Sequence, residues 1–237
     1  MTPRAIFFDM DDTLLNPSGG VAAAWELACR EASATIGCEW TVLRDALLRD
    51  MMAFWRDEAA VEHWRTRLVE AREHVIAQTL AAEGWDPGQM QRISDRYGAE
   101  RETRLALFTD AAETLEALRS RGYKLGLLTN GPADMQRAKV NRFVLEQYFD
   151  VVVIEGEFGR GKPHREVFDH ALATVGATPS EAWHVGDNLY ADIGGAQQAG
   201  LHATWIHRDR LELKDSSMPV PDRVIGHLPE LRMALGC

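Results

Sequence analysis

Ala5-Ile6-Phe7-Phe8-Asp9-Met10-Asp11-Asp12-Thr13 carries four apolar residues straight into a burst of carboxylates. The apolar run is short, holds two aromatics and a β-branched residue, and reads as a buried strand. Side chains alternate along a strand, so Asp9 and Asp11 point to the same side of its carboxyl end, where open α/β sheets bind ligands. Two like charges held that close repel each other unless a cation or a proton stands between them, so the pair asks for a metal. Asp12 or Thr13 capping a following helix accounts for one such residue, but not for three acids after a hydrophobic strand.

Further strand-like runs occupy Tyr123 to Leu128, Val151 to Ile154, Ala182 to Val185 and Ala203 to Ile206, with a weaker one at Arg223 to Ile225. Helical patterns separate them at Asp110 to Arg121, Ala133 to Leu145, His164 to Val175 and Ala191 to Ala199. The first of these has Asp110 as an N-cap with Glu113 three residues on, and Gly122 where a glycine stop belongs. Strands alternating with helices predict an α/β fold, a doubly wound, Rossmann-like parallel sheet.

Between Pro17 and Arg101 the pattern changes to a helical period with no strand-like run. Val61, Trp64, Leu68, Ala71 and Val75 are spaced for one helix face, as are Leu43, Leu47, Met51 and Phe54. The prediction is an α-helical domain over 17–100 inserted into a core made of 1–16 and 101–237, with Pro17-Ser18-Gly19-Gly20 as a hinge. Trp25, Trp40, Trp55, Trp64 and Trp85, five of the seven tryptophans, fall in the insert. They fill a small core or, for one or two of them, line a substrate pocket.

The 237 residues are 46% hydrophobic and 26% charged, which excludes a disordered or collagen-like chain. A net charge of -10 repels phosphate backbones and argues against nucleic acid as a partner. No apolar run nears the roughly 20 residues that span a bilayer. The opening Met1-Thr2-Pro3-Arg4 leads into too short an apolar stretch for a signal peptide, and a cytoplasmic location is expected. Cys29, Cys38 and Cys237 have no metal-ligand spacing and are expected as reduced thiols.

The other strand ends carry chemistry as well. Thr129-Asn130-Gly131-Pro132 offers a hydroxyl, an amide and backbone N–H groups ahead of a helix, a neutral cradle for an anion or simply a turn. Gly159-Arg160-Gly161-Lys162-Pro163-His164 holds one of only four lysines between glycines, either solvated or facing a ligand. His184-Val185-Gly186-Asp187-Asn188-Leu189-Tyr190-Ala191-Asp192 leaves its strand into two aspartates. Asp187 could reach the same cation as Asp9, with Asp192 behind it to hold Lys162. His184, His63, His74 and His164 read as structural, His164 at a helix start, and Arg160 as an exposed loop residue.

Four strands thus end in the order carboxylate pair, hydroxyl, lysine, carboxylate pair. In this order they resemble the four motifs of the haloacid dehalogenase (HAD) superfamily, here Asp9-x-Asp11-x-Thr13, Thr129, Lys162 and Gly186-Asp187-x-x-x-x-Asp192. The resemblance spans almost the whole chain, because the helical insert looks like the cap that many members carry after the first motif. It implies that Asp9 is a nucleophile forming an aspartyl phosphate and that Asp11 is the general acid and then base. It also implies Mg²⁺ bound by the Asp9 side chain, the Asp11 carbonyl and Asp187, phosphate held by Thr129, Asn130 and Lys162, and Asp192 orienting Lys162 or a metal-bound water.

Dehalogenases of the superfamily lack the second aspartate of the first motif, which this chain has as Asp11. Phosphoglucomutase-like members usually continue Gly-Val-x-x-Asp where this chain reads Asp12-Thr13-Leu14-Leu15-Asn16, and residues 17 to 100 hold no lysine for the imine of a phosphonate-cleaving relative. The resemblance therefore implies a phosphatase acting on a small phosphorylated metabolite such as a sugar, acylneuraminate or nucleoside phosphate. A phosphomutase, and a noncatalytic binder of a phosphorylated metabolite, stand as alternatives.

Overall fold

The computed structural model describes residues 2–208 and 217–236. The chain divides into two compact units, Met1–Asn16 with Leu107–Cys237, and Pro17–Ala106. The first is built on a parallel sheet of β1 (Ala5–Phe8), β2 (Lys124–Thr129), β3 (Val151–Ile154), β4 (Ala182–Gly186), β5 (His202–Ile206) and β6 (Arg223–Ile225). Their order across the sheet is β3-β2-β1-β4-β5-β6. β1 pairs with β2 on one side and β4 on the other, with Phe8 level with Leu127 and Val185. The winding reverses at β1, so Asp9 leaves the sheet at the switch point where such folds bind ligands. Phe7 and Phe8 are fully buried because both faces of a parallel sheet are covered by helices.

The second unit is helical, as its sequence period requires: α1 (Val21–Ile36), α2 (Trp40–Phe54), α3 (Glu58–Trp64), α4 (Leu68–Ala82) and α5 (Met90–Arg104). Its core gathers Trp25, Ala28, Cys29, Leu43, Leu47, Ile76, Leu80 and Ile93, with the Tyr97 ring tilted against Trp25 at 4.3 Å between centroids. Trp40 and Trp85 pack against that core half-buried, while Trp55 and Trp64 sit around Phe54. The single face predicted from Val61 to Val75 does not form, because residues 65–67 separate α3 from α4 and only Leu68, Ala71 and Val75 share a helix. Helix α5 runs on to Arg104, which carries the unit past residue 100. No helix among the described residues is long and apolar enough to cross a membrane. Cys29 and Cys38 are free thiols, and Cys237 lies outside the described residues.

Flanking the sheet are α6 (Ala111–Ser120), α7 (Ala133–Arg142), α8 (Glu155–Phe158), α9 (Arg165–Val175), α10 (Gly195–Gln198) and α11 (Leu228–Ala234). His164 is the N-cap residue of α9, and Gly122 follows α6 with a φ of +83° that glycine adopts freely. Asp110 precedes α6 but its side chain makes no capping bond. Its carboxylate instead takes the Arg208 guanidinium at 3.3 Å and the Leu228 N–H at 3.0 Å. A charged partner outweighs a neutral cap. The helix expected from Ala191 opens earlier, with a π-helical turn over Leu189–Gly194 capped by the Asn188 side chain. Such wide turns concentrate at functional sites.

Candidate active site

β1 delivers Asp9 to the carboxyl edge of the sheet, where its N–H continues the ladder to the Val185 carbonyl at 2.9 Å. Lys162 reaches the same point from the loop after α8. Its side chain is 2% exposed, and its Nζ lies 2.6 Å from Asp9 Oδ1 and 2.6 Å from Asp192 Oδ1. This is not the solvated lysine that a loop usually carries. Burial opposes its charge, but Asp192 and Asp9 outweigh burial and hold the ammonium above its ordinary range.

Asp192 is committed on both oxygens. Oδ1 takes Lys162 and the His184 Nε2 at 2.9 Å, and Oδ2 accepts the Asn188 N–H at 3.0 Å. Burial alone would raise this acid, yet Lys162 and His184 hold it well below the usual carboxylate range. Burial keeps His184 neutral, so Nε2 carries the proton that it gives to Asp192. Gly186 is a glycine for a steric reason: a Cβ there would overlap the Asp192 carboxyl group.

Asp187 is different. Its main-chain oxygen is fixed by the Trp205 indole N–H at 2.7 Å, while its carboxylate has no hydrogen bond among the described residues. Burial, then repulsion from Asp9 and Asp192, push it up to about 9. Burial likewise raises Asp9 to about 7 against the pull of Lys162. Oxygens of Asp9, Asp187 and Asp192 lie within 4.8 Å of one another. A cluster of hard oxygen donors in a buried pocket of like charge could hold a metal cation.

The Asp11 side chain meets α7, where Lys139 Nζ bonds both oxygens at 2.9 and 2.7 Å and Gln136 Nε2 adds a third bond at 3.0 Å. Thr129, buried at the end of β2, accepts from the same Gln136 nitrogen at 2.6 Å. Asn130 does not present a free amide. Its oxygen accepts the Lys162 N–H at 2.8 Å and its nitrogen donates to the Lys162 carbonyl at 2.7 Å, so the side chain locks the lysine loop to the end of β2. Gly131 gives its N–H to Glu155 at 2.9 Å.

The structure thus brings Asp9, Lys162, Asp187 and Asp192 into one cluster, with Asp11 and Thr129 joined through Gln136 beside it. Gln136, Lys139, Glu155 and His184 are partners that sequence reasoning did not find. For the first two a signal existed: they stand three apart on a helix that follows a strand end, hence on one face.

A profile of the haloacid dehalogenase-like hydrolases matches residues 3–200, which takes in all four strand ends. The chain belongs to the haloacid dehalogenase-like hydrolases. The chain is 34% identical over 253 residues to a phosphoserine phosphatase of Thermus thermophilus, covering 98% of each. It is 28% identical over 255 residues to the human N-acylneuraminate-9-phosphatase, covering 99% of this chain and 95% of the other. A crystal structure of a HAD phosphatase from Thermococcus onnurineus superposes with a TM-score of 0.69 at 29% identity, covering 98% of each chain.

Proposed function

We propose that the protein is a Mg²⁺-dependent phosphatase that hydrolyses a small phosphomonoester through an aspartyl phosphate at Asp9. The observation that carries this reading is the buried Asp9–Lys162–Asp192 chain beside the unpartnered Asp187 carboxylate. It combines a nucleophile, a fixed positive charge and a cation seat at one sheet edge. Phosphoryl transfer asks the protein mainly for position and charge. An Asp9 oxygen attacks phosphorus as the ester P–O bond breaks, and Asp11 gives its proton to the departing alcohol. Water then attacks the phosphorus of the acyl phosphate, Asp11 takes its proton, and Asp9 is regenerated with release of inorganic phosphate. Lys162 neutralises charge on the transferring group, and the Thr129 hydroxyl donates to it. Asn130 acts by fixing the Lys162 main chain, which replaces the phosphate contact expected from its position. Mg²⁺ held by Asp9, Asp187 and the Asp11 carbonyl would supply charge neutralisation of the phosphoryl oxygens. Asp192 stays behind, keeping Lys162 and His184 in place.

We assign the helical unit, inserted directly after the Asp9 loop, the role of a cap that selects the alcohol. Relatives named for phosphoserine and for acylneuraminate 9-phosphate support a small phosphorylated metabolite as substrate, and free cysteines are consistent with the cytoplasm. The test is phosphate release from a panel of small phosphomonoesters, with Mg²⁺ and with EDTA, for wild type and Asp9→Asn. Metal-dependent release lost in the variant is expected. Release by the variant within about tenfold of wild type overturns the assignment of Asp9.

A further inference from the structure

We propose that Gln136 and Lys139 are positioning residues that hold Asp11 in the orientation its proton transfers require and that turn the Thr129 hydroxyl into a donor. The proposal rests on the reading of Asp11 as the acid and base of a phosphatase. Residues three apart on α7 project from one face, so Gln136 and Lys139 act on the same neighbour. That neighbour is Asp11, more than 120 positions earlier in the chain.

The Gln136 amide nitrogen has two hydrogens and both are placed. One goes to Thr129 Oγ1 at 2.6 Å and the other to Asp11 Oδ2 at 3.0 Å. An amide nitrogen is a donor only, so it forces both oxygens to accept. The Thr129 hydroxyl therefore keeps its own hydrogen to give to another acceptor, which is what a phosphate oxygen needs from it. Lys139 spans the two Asp11 oxygens at 2.9 and 2.7 Å and is itself only 13% exposed, against 31% for the Asp11 side chain. An aspartate that open to water would sample several rotamers; two donors from one helix face select one. Neither Gln136 nor Lys139 bonds Asp9, Asp187 or Asp192 among the described residues. Their effect on catalysis is thus routed through Asp11 and Thr129 rather than through the nucleophile or the cation seat.

A general acid matters most where the leaving group is a strong base. An alkoxide needs a proton as the ester bond breaks, whereas 4-nitrophenolate departs without one. Loss of Asp11 positioning is therefore read in the contrast between two esters and not in overall activity. The probes are 4-nitrophenyl phosphate and the alkyl phosphomonoester that wild type turns over fastest. Lys139→Met keeps the hydrocarbon stem and removes the charge. Its kcat/KM should fall about 10²-fold on the alkyl ester and less than about threefold on the aryl ester. Equal falls on both esters, or no fall on either, overturn the proposal, because a merely structural role moves both alike. Should Lys139→Met fail to fold, Gln136→Leu is read with the same pair, with the alkyl ester again expected to suffer more. A wild type inert towards every ester refutes the phosphatase reading itself. A wild type active on both esters, with a variant that does not discriminate, refutes this proposal alone.

Discussion

Replacing Lys162 by methionine keeps the stem in its slot and deletes one buried ammonium that two carboxylates share. Each contact is 2.6 Å and the lysine side chain is 2% exposed, so water does not restore the lost charge. Removing one partner of a buried pair costs about 3–5 kcal/mol. Asp192 keeps His184 and the Asn188 N–H, which leaves Asp9 as the group stranded and puts the expected loss near the lower end, about 3 kcal/mol. For a chain of 237 residues that is a fall in Tm of about 6–12 °C. The loss also depends on pH. Asp9 already stands at about 7 with Lys162 in place, and without the lysine it rises further. A group whose pKa is raised on folding holds more protons folded than unfolded, so stability falls as pH rises across the gap. Above about pH 7 the variant is still losing stability through Asp9 where wild type has finished doing so, and the difference between them widens. Differential scanning calorimetry in EDTA over the neutral to alkaline range measures both effects. A Tm fall under about 2 °C, or a gap that narrows with rising pH, would refute the charge balance described here.

Two further outcomes are expected. Metal-free wild type should lose stability as pH rises from the ordinary carboxylate range towards about 9, where Asp187 ionises, and millimolar Mg²⁺ should raise Tm far more at the alkaline end; a metal effect independent of pH contradicts the seat at Asp187. Gly186→Ala forces a methyl group into the Asp192 carboxyl and should cost about 1–3 kcal/mol in urea unfolding together with most turnover, while a neutral effect would show that the close approach is not needed.

The alternation of strands and helices, the carboxylates at the end of β1 and the helical insert were legible because each follows from local period and from where carboxylates interrupt an apolar run. Asp9 and Asp187 were legible for a related reason: each directly follows a strand, β1 or β4, and neighbouring parallel strands bring their ends together. What local pattern does not encode is pairing at long range. Asp110 looks like a cap until Arg208, 98 positions later, takes its carboxylate. Asn130 looks like a free amide until the main chain of Lys162 occupies it. Lys162 lies in a loop eight residues past the end of β3, and its pairing at long range with Asp9 and Asp192 is what makes it a buried ion pair. The break at residues 65–67 interrupts an apolar spacing that continues across it in register, so period alone could not reveal it.

In the proposed reaction Asp9 forms the covalent bond to phosphorus. In an Asp11→Asn variant the base for the second step is gone, while 4-nitrophenyl phosphate needs no acid for the first, so the phosphoenzyme should accumulate. Acid quench followed by tandem mass spectrometry of the peptide that contains Asp9 locates the group. A phosphoryl on Asp9 is the predicted result. A phosphoryl on any other side chain, or continued turnover with Asp9 unmodified, would rule out Asp9 as the nucleophile.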